Sequence, residues 1–480
     1  MLATFTLRQK VGLITGPTLF FLVLASPVPE GMSMEASRVA AIALMMACFW
    51  MAETVPIPAT AMLPIFLFPL LGVMPTADVT LSYGNQILFL FMGGFLIAVA
   101  MQKWNLHRRL AIGLISALGT KPTRIVAGFL LSGAMVSMWV SNTATALMML
   151  PLGLSLIELL PGDSDDPGRQ RFGTALMLGI AYACSIGGMA TLIGTPPNAF
   201  LAGFMLESYG VSIGFAQWML LGVPLALVGL PLTWFILTRV VFPVPLGEIP
   251  GGRSLLDERR AGLGPIRPAE KRVAIVLTLT ALAWITRPLL QDWIPGLSDA
   301  GISIAGAIVL FLVPAGEPDG RRLLTWQQAE AIPWGVLVLV GGGLSLAAAI
   351  GGTGLGDWLG GQMEAIGHWP LVLLVATVVA FVILLTELTS NTATAATFLP
   401  VLGALALVVG QDPLVLAVPA ALAASGAFML PVATPPNAIV YGSGALQITD
   451  MVRAGVWINL LFTVLITAAS RLLLPLVFGV

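Results

Sequence analysis

Charge is scarce in these 480 residues. Asp, Glu, Lys and Arg together make up 9%, where a soluble domain uses about a quarter. So few charges cannot cover the surface of a water-soluble fold, and 58% of the residues are apolar. The net charge of −1 excludes the basic footprint of a nucleic-acid-binding protein. Histidine and cysteine occur twice each. Cys48 and Cys184 lie in apolar runs, with no metal spacing and no disulfide framework. His107 and His368 fall in amphipathic stretches, 104–118 and 354–368, which read as interfacial helices. That leaves no histidine in a core segment as a catalytic base or proton relay, so the Gly-Ser-Gly within "YGSGA" at 441–445 is no serine-enzyme signature.

What is abundant is apolar sequence in pieces long enough to cross or enter a bilayer. They fall at 11–27, 38–52, 59–73, 86–102, 172–187, 214–242, 271–289, 300–315, 332–350 and 451–478, against about 20 residues for a spanning helix. The reading is an all-α polytopic membrane protein, with 11–27 as a first membrane helix. Residues 122–160 and 370–408 are each too long for one crossing and carry Ser-Asn-Thr at their centres, which predicts re-entrant hairpins. Residues 172–206 and 413–442 contain Thr-Pro-Pro-Asn. Consecutive prolines lack N–H donors, which predicts interrupted helices with unpaired carbonyls over Gly187–Gly194 and Ala427–Ala433. A last helix occupies 451–478.

Charge placement tests this layout. With a cytoplasmic N-terminus and hairpins that turn back, all but three of the 22 Lys and Arg (Arg38, Arg287 and Arg471) fall on the cytoplasmic side, as positive-inside bias requires. The expected organisation is a first-half scaffold with its interfacial helix (1–121) and a first-half transport region (122–242, with helix 214–242). A Pro- and Gly-rich cytoplasmic linker (243–270) follows, then a second-half scaffold (271–369) and a second transport region (370–480).

The chain also repeats itself. "SNTATA" stands at 141–146 and 390–395, glycine pairs at 93–94 and 342–343, and "TPPNA" at 195–199 and 434–438. The same order in both halves, with hairpins entering from opposite faces, predicts an inverted-topology repeat. The glycine pairs read as close-packing positions.

Polar tips inside apolar arms need partners in a membrane. Ser141, Asn142 and Thr143, with Ser390, Asn391 and Thr392 opposite, offer hydroxyl and amide donors at the start of a helix, where an anion is favoured. Two such tips suit a small molecule with a carboxylate at each end. Their oxygens, with Ser137 and Thr386 one turn earlier on the same helix face, suit a hard cation such as Na⁺. A dianion met by no basic residue takes its countercharge from bound cations. Glu387, beside the second tip, is expected to turn away from an anion and bond backbone or a neighbouring helix. Glu53 reads as a helix-end residue.

The paired "SNTATA" tips, each followed by "TPPNA", resemble the divalent anion:sodium symporter family. That resemblance spans nearly the whole chain. It implies a homodimer of about eleven membrane helices in the cytoplasmic (inner) membrane, with a scaffold and a transport domain that slides as an elevator. It implies that both tips touch substrate carboxylates and that Thr434 and Pro435 flank the substrate. One Na⁺ site would draw on Ser137, Ser141, Asn142 and carbonyls near Ala190, the other on Thr386, Ser390 and Asn391. The substrate class this implies is a C4-dicarboxylate carried with Na⁺. Within the same family, Na⁺-independent exchange and Na⁺-coupled citrate or sulfate transport are the alternatives.

Overall fold

The computed structural model describes residues 5–160, 166–244, 247–362 and 369–480. Among these there is no β-strand, only an isolated antiparallel bridge between Pro314 and Arg322. Nine of the helices in the described residues are long and apolar enough to cross a membrane, so the chain is a multi-pass membrane protein.

The first half begins with α1 (Leu7–Ala25) and α2 (Met34–Ala52), packed together. Glu53 caps α2 in a left-handed conformation, φ 49°, as a helix-end residue does. The stretch 59–73 is not one helix: the prolines of "VPIPATAMLPIF" divide it into α3 (Ile57–Thr60) and α4 (Leu63–Leu70). After α5 (Thr76–Leu81) come α6 (Gln86–Lys103) and α7 (Leu106–Leu118). The first hairpin is α8 (Pro122–Ser137) and α9 (Asn142–Glu158), and the first interrupted helix is α10 (Pro167–Met189) and α11 (Pro196–Tyr209). Helix α12 (Phe215–Phe235) ends in a π-helical turn to Val241.

The loop 243–270 is more than a linker. It contains α13 (Gly252–Ala261), which packs Leu256 against the protein beside α7. Arg109 of α7 holds the segment that follows. Its guanidinium donates to the carbonyls of Leu263 and Gly264, both at 3.1 Å, and pairs with buried Glu270 at 3.0 Å.

The second half repeats the order. It runs through α14 (Pro268–Leu290), α15 (Asp299–Leu312), α16 (Trp326–Ala329), α17 (Trp334–Gly352) and α18 (Leu355–Gly361). The second hairpin is α19 (Leu371–Thr386) and α20 (Asn391–Val408). The second interrupted helix is α21 (Leu414–Ala424) and α22 (Pro435–Gly442), before α23 (Ile448–Leu472) and α24 (Leu474–Phe478).

The halves interlock through equivalent contacts. The second arm of each hairpin packs on the far part of the other half's interrupted helix: α9 on α22, and α20 on α11. Every residue of α10 from Phe172 to Met189 is buried, so this helix runs through the middle of the molecule. The glycine pairs are packing positions. A Cβ at Gly93 would lie 2.5 Å from the Ser303 backbone, and one at Gly342 would strike the Ala61 carbonyl oxygen at 2.0 Å. His107 turns inward from the amphipathic α7 rather than resting at its surface. It is 8% exposed, with Nδ1 3.2 Å from the Met101 carbonyl. His368 lies outside the described residues.

Candidate functional site

Each hairpin turns at Ser-Asn-Thr because serine is a helix cap in extended conformation. Ser141 (φ −55°, ψ 142°) begins α9 and accepts from the Ala144 N–H; Ser390 (φ −66°, ψ 132°) begins α20. The prolines of Thr-Pro-Pro-Asn open α11 and α22, since a first-turn proline gives up an N–H that has no intrahelical partner. Thr195 and Thr434 are their caps.

All four helix starts meet at one cavity of about 660 Å³. Ser141, Asn142, Thr143, Ser390, Asn391, Thr392, Thr434 and Pro435 all line it, as do Thr195 and Pro196. Among the described residues its wall contains no Lys, Arg or His, and Glu53, at the end of α2, is its one ionisable group. An anion here would meet hydroxyls, amide donors and the N-terminal ends of helices, and no side-chain cation.

Behind each tip the same bond recurs. Ser137 donates its hydroxyl to Asn142 Oδ1 at 2.5 Å, and Thr386 donates to Asn391 Oδ1 at 2.9 Å. Thr386 lies within 2.9 Å of the Ala424 carbonyl as well. Both hydroxyls are fully buried. Neither asparagine's Nδ2 has a hydrogen-bond partner among the described residues. Each tip asparagine therefore bonds to the protein through its oxygen and keeps its amide hydrogens uncommitted, and both residues line the cavity.

Around the first tip, side-chain and carbonyl oxygens gather at one glycine. A Cβ added at Gly188 would sit 3.0 Å from Asn142 Oδ1, 3.1 Å from Asn142 Nδ2 and 3.1 Å from the Gly194 carbonyl oxygen. Hydroxyl, amide and carbonyl oxygens of this kind are what a hard cation takes, and the residues fit Na⁺. Ala190 ends α10 with its carbonyl near Gly222 of α12, where an added Cβ would be 2.9 Å from it; the oxygens close to Asn142 are those around Gly188 and Gly194.

The fourth residue of each Thr-Pro-Pro-Asn has a role that sequence reading missed. Asn198 Nδ2 donates to the carbonyls of Gly188 (3.1 Å) and Thr191 (2.8 Å). Asn437 Nδ2 donates to Ala427 (3.4 Å) and Leu430 (3.0 Å). These carbonyls lie within the stretches expected to be unpaired, and one buried amide in each half pins two of them. The signal was available: the asparagine is repeated with the prolines. In both halves its Oδ1 is buried without a partner among the described residues.

The halves differ at one turn. Helix α10 continues to Met189, whereas α21 stops at Ala424, which leaves the N–H groups of 428–430 outside a helix. Glu387 takes them. Its carboxylate accepts from Phe428 N (2.7 Å), Met429 N (2.8 Å), Leu430 N (3.0 Å) and Asn459 Nδ2 (2.8 Å). The expected turn of Glu387 away from the anion site is therefore observed. Tyr182 of α10 adds a hydroxyl bond of 2.7 Å to the Phe428 carbonyl. In the first half the corresponding join is lighter: Thr191 donates to the Met138 carbonyl at 2.6 Å. The stretches "FMLPVA" and "MATLIG" both lie at the helix break, after Ala424 and Met189 respectively, and in the second half a carboxylate holds the break.

Two solved transporters share the fold. The Alcanivorax borkumensis YdaH transporter aligns with TM-score 0.59 and 15% identity over 98% of both chains. Neisseria gonorrhoeae MtrF aligns with TM-score 0.55 and 12% identity, over 97% of this chain and 95% of its own. Among curated proteins, the Sodium-dependent dicarboxylate transporter SdcS of Staphylococcus saprophyticus is 44% identical over 99% of this chain and 93% of its own length. Its counterpart from Staphylococcus aureus strain bovine RF122 is 42% identical over the same shares. The profile described as "Sodium:sulfate symporter transmembrane region" matches residues 8–478. With the duplicated tips around a cavity lined by no described cationic side chain and a match spanning nearly its whole length, the chain belongs to the sodium:sulfate symporter family.

Proposed function

We propose that this protein is a Na⁺-coupled symporter of C4-dicarboxylates such as succinate, malate and fumarate, working in the cytoplasmic (inner) membrane with its N-terminus inside. The observation that carries the reading is the double bond pattern at the tips. In each half a buried hydroxyl meets the oxygen of the tip asparagine, while that asparagine's NH₂ is uncommitted at a cavity without cationic side chains.

Coupling then follows from one side chain in each half. A Na⁺ beside Asn142 would draw the amide oxygen and the Ser137 hydroxyl oxygen toward itself. The Ser137 proton would turn away, because both oxygens are needed as ligands. The amide NH₂ would become a better donor to a carboxylate, and the ion would supply the positive field that the wall lacks. The second tip would do the same through Thr386, Ser390 and Asn391. A dianion then binds well only after the cations, with Thr143, Thr392, Thr434 and Pro435 completing its walls. SdcS, by its name a sodium-dependent dicarboxylate transporter, supports this substrate class.

The repeat and the charge skew support hairpins that re-enter from opposite faces, and an elevator step in which both tips move together past a scaffold dimer. The test is uptake of labelled succinate into proteoliposomes. Uptake should require an inward Na⁺ gradient and should concentrate the label. Uptake that needs internal dicarboxylate but ignores Na⁺ would make the protein an exchanger and remove the coupling role from Ser137 and Thr386.

A further inference from the structure

A second cavity, of about 300 Å³, lies away from the tips, between the amphipathic α7, the hairpin arm α9 and the helix α13. Besides Asn105 and His107, its wall has two parts. One part is cationic: Arg108 from α7 and Arg259 from α13. The other is apolar, and includes Ile112 of α7 with Leu147 and Leu152 of α9. Leu147 is 55% exposed, a cost that an aqueous pocket would not offset. No Asp or Glu among the described residues lines the cavity. Arg259 is partly held by a 3.2 Å bond to Ser155 of α9. Arg108 is exposed and has no polar partner among the described residues.

Two cations above an apolar wall, on an amphipathic helix of a membrane protein, match a molecule with a phosphate at one end and hydrocarbon at the other. We propose that this cavity binds an anionic phospholipid, with its phosphodiester between Arg108 and Arg259 and its acyl chain along Ile112, Leu147 and Leu152. A free phosphate ion would satisfy the arginines but gain nothing from the apolar wall, and a zwitterionic lipid would bring its own cation against them. The bound lipid joins α7 and α13 to the moving arm α9, so its presence bears on how readily that arm slides. This inference is independent of which anion the central cavity carries.

The probe is phosphatidylglycerol, titrated against phosphatidylcholine onto the full-length protein in detergent and counted by native mass spectrometry. The wild type should hold at least one phosphatidylglycerol that resists exchange for phosphatidylcholine. Arg108→Gln with Arg259→Gln should weaken that adduct about thirtyfold, as expected for two cations near an anionic headgroup. Arg108→Lys with Arg259→Lys should largely restore it and show that the fold is intact. Arg253→Gln with Arg260→Gln, on exposed positions of α13 outside the cavity, should leave it unchanged. Equal loss in that control pair would mean diffuse surface charge and overturn the site. Displacement of the lipid by millimolar inorganic phosphate would mean a soluble-anion site and overturn the lipid assignment.

Discussion

Glu387→Gln isolates one side chain that holds an entire turn. The carboxylate accepts four hydrogen bonds, three from consecutive backbone N–H groups and one from Asn459. Glutamine keeps one oxygen, so the bonds to Phe428, Met429 and Asn459 can survive without charge assistance, each weaker by about 1 kcal/mol. The new NH₂ would face the Leu430 N–H, donor against donor, leaving a buried donor unsatisfied at about 1–3 kcal/mol. The total is about 4–6 kcal/mol, concentrated on 428–430. That stretch carries the Leu430 carbonyl and follows the Ala427 carbonyl, both pinned by Asn437. If a third of the loss reaches cation binding, the Na⁺ concentration for half-maximal uptake rises at least tenfold. The assay is Na⁺ activation of succinate uptake at saturating succinate, with a thermal melt of the same protein. An unchanged Na⁺ curve together with an unchanged melting temperature would refute the clamp. A lower melting temperature with a normal Na⁺ curve would make Glu387 purely a stabiliser of the fold. Thr191→Val, which removes only the single bond to Met138, should cost about 1 kcal/mol and leave Na⁺ activation nearly unaltered.

Three other outcomes are expected. Asn142→Ala and Asn391→Ala each remove an oxygen proposed to serve a cation and an uncommitted amide donor, so uptake should fall below about a hundredth of wild type while the protein still purifies as a monodisperse species; normal uptake by either counts against the site. Ser137→Ala should raise the Na⁺ requirement about tenfold and leave the apparent substrate affinity at saturating Na⁺ within about twofold, read from paired Na⁺ and succinate titrations. Burial, aided by the neighbouring charge of Arg108 and opposed by the Met101 bond, holds the His107 imidazole below its ordinary value of 6.5. The unfolded chain therefore takes up protons first, so this contribution is complete above pH 6.5 and is lost as pH falls through the lower folded value. The melting temperature should drop between pH 7 and 5, and His107→Gln should flatten that slope.

Much of the candidate site was legible in order but not in contact. The two hexapeptides named the tip residues, and the eight residues assigned to the substrate line one cavity. Ser137 and Thr386 were legible from helical spacing alone. The partners of Glu387 were not, because they lie at 428–430 and 459 and nothing local to position 387 points there. The pinning by Asn198 and Asn437 was hidden for a different reason: a fourth residue after two prolines reads as the first turn of a helix, and its side chain bends back over a gap whose shape only packing sets. The helix at 252–261 was concealed by its Pro- and Gly-rich flanks, which favour a loop, until Leu256 found the space beside α7.

By itself the sequence determined the solvent and the duplication. Nine per cent charge leaves no way to cover a fold in water, and backbone groups in lipid must then close on themselves as helices. A polar hexapeptide written twice determined that there are two equivalent tips. Tertiary structure alone decided that the tips share a cavity without a cation, and which carbonyls are pinned and which N–H groups are caught by Glu387. The Glu387 bonds join residues 41 to 72 positions apart, and the asparagine pins reach back 7 to 10 positions across a helix break; local preference for helix or turn carries no information about either.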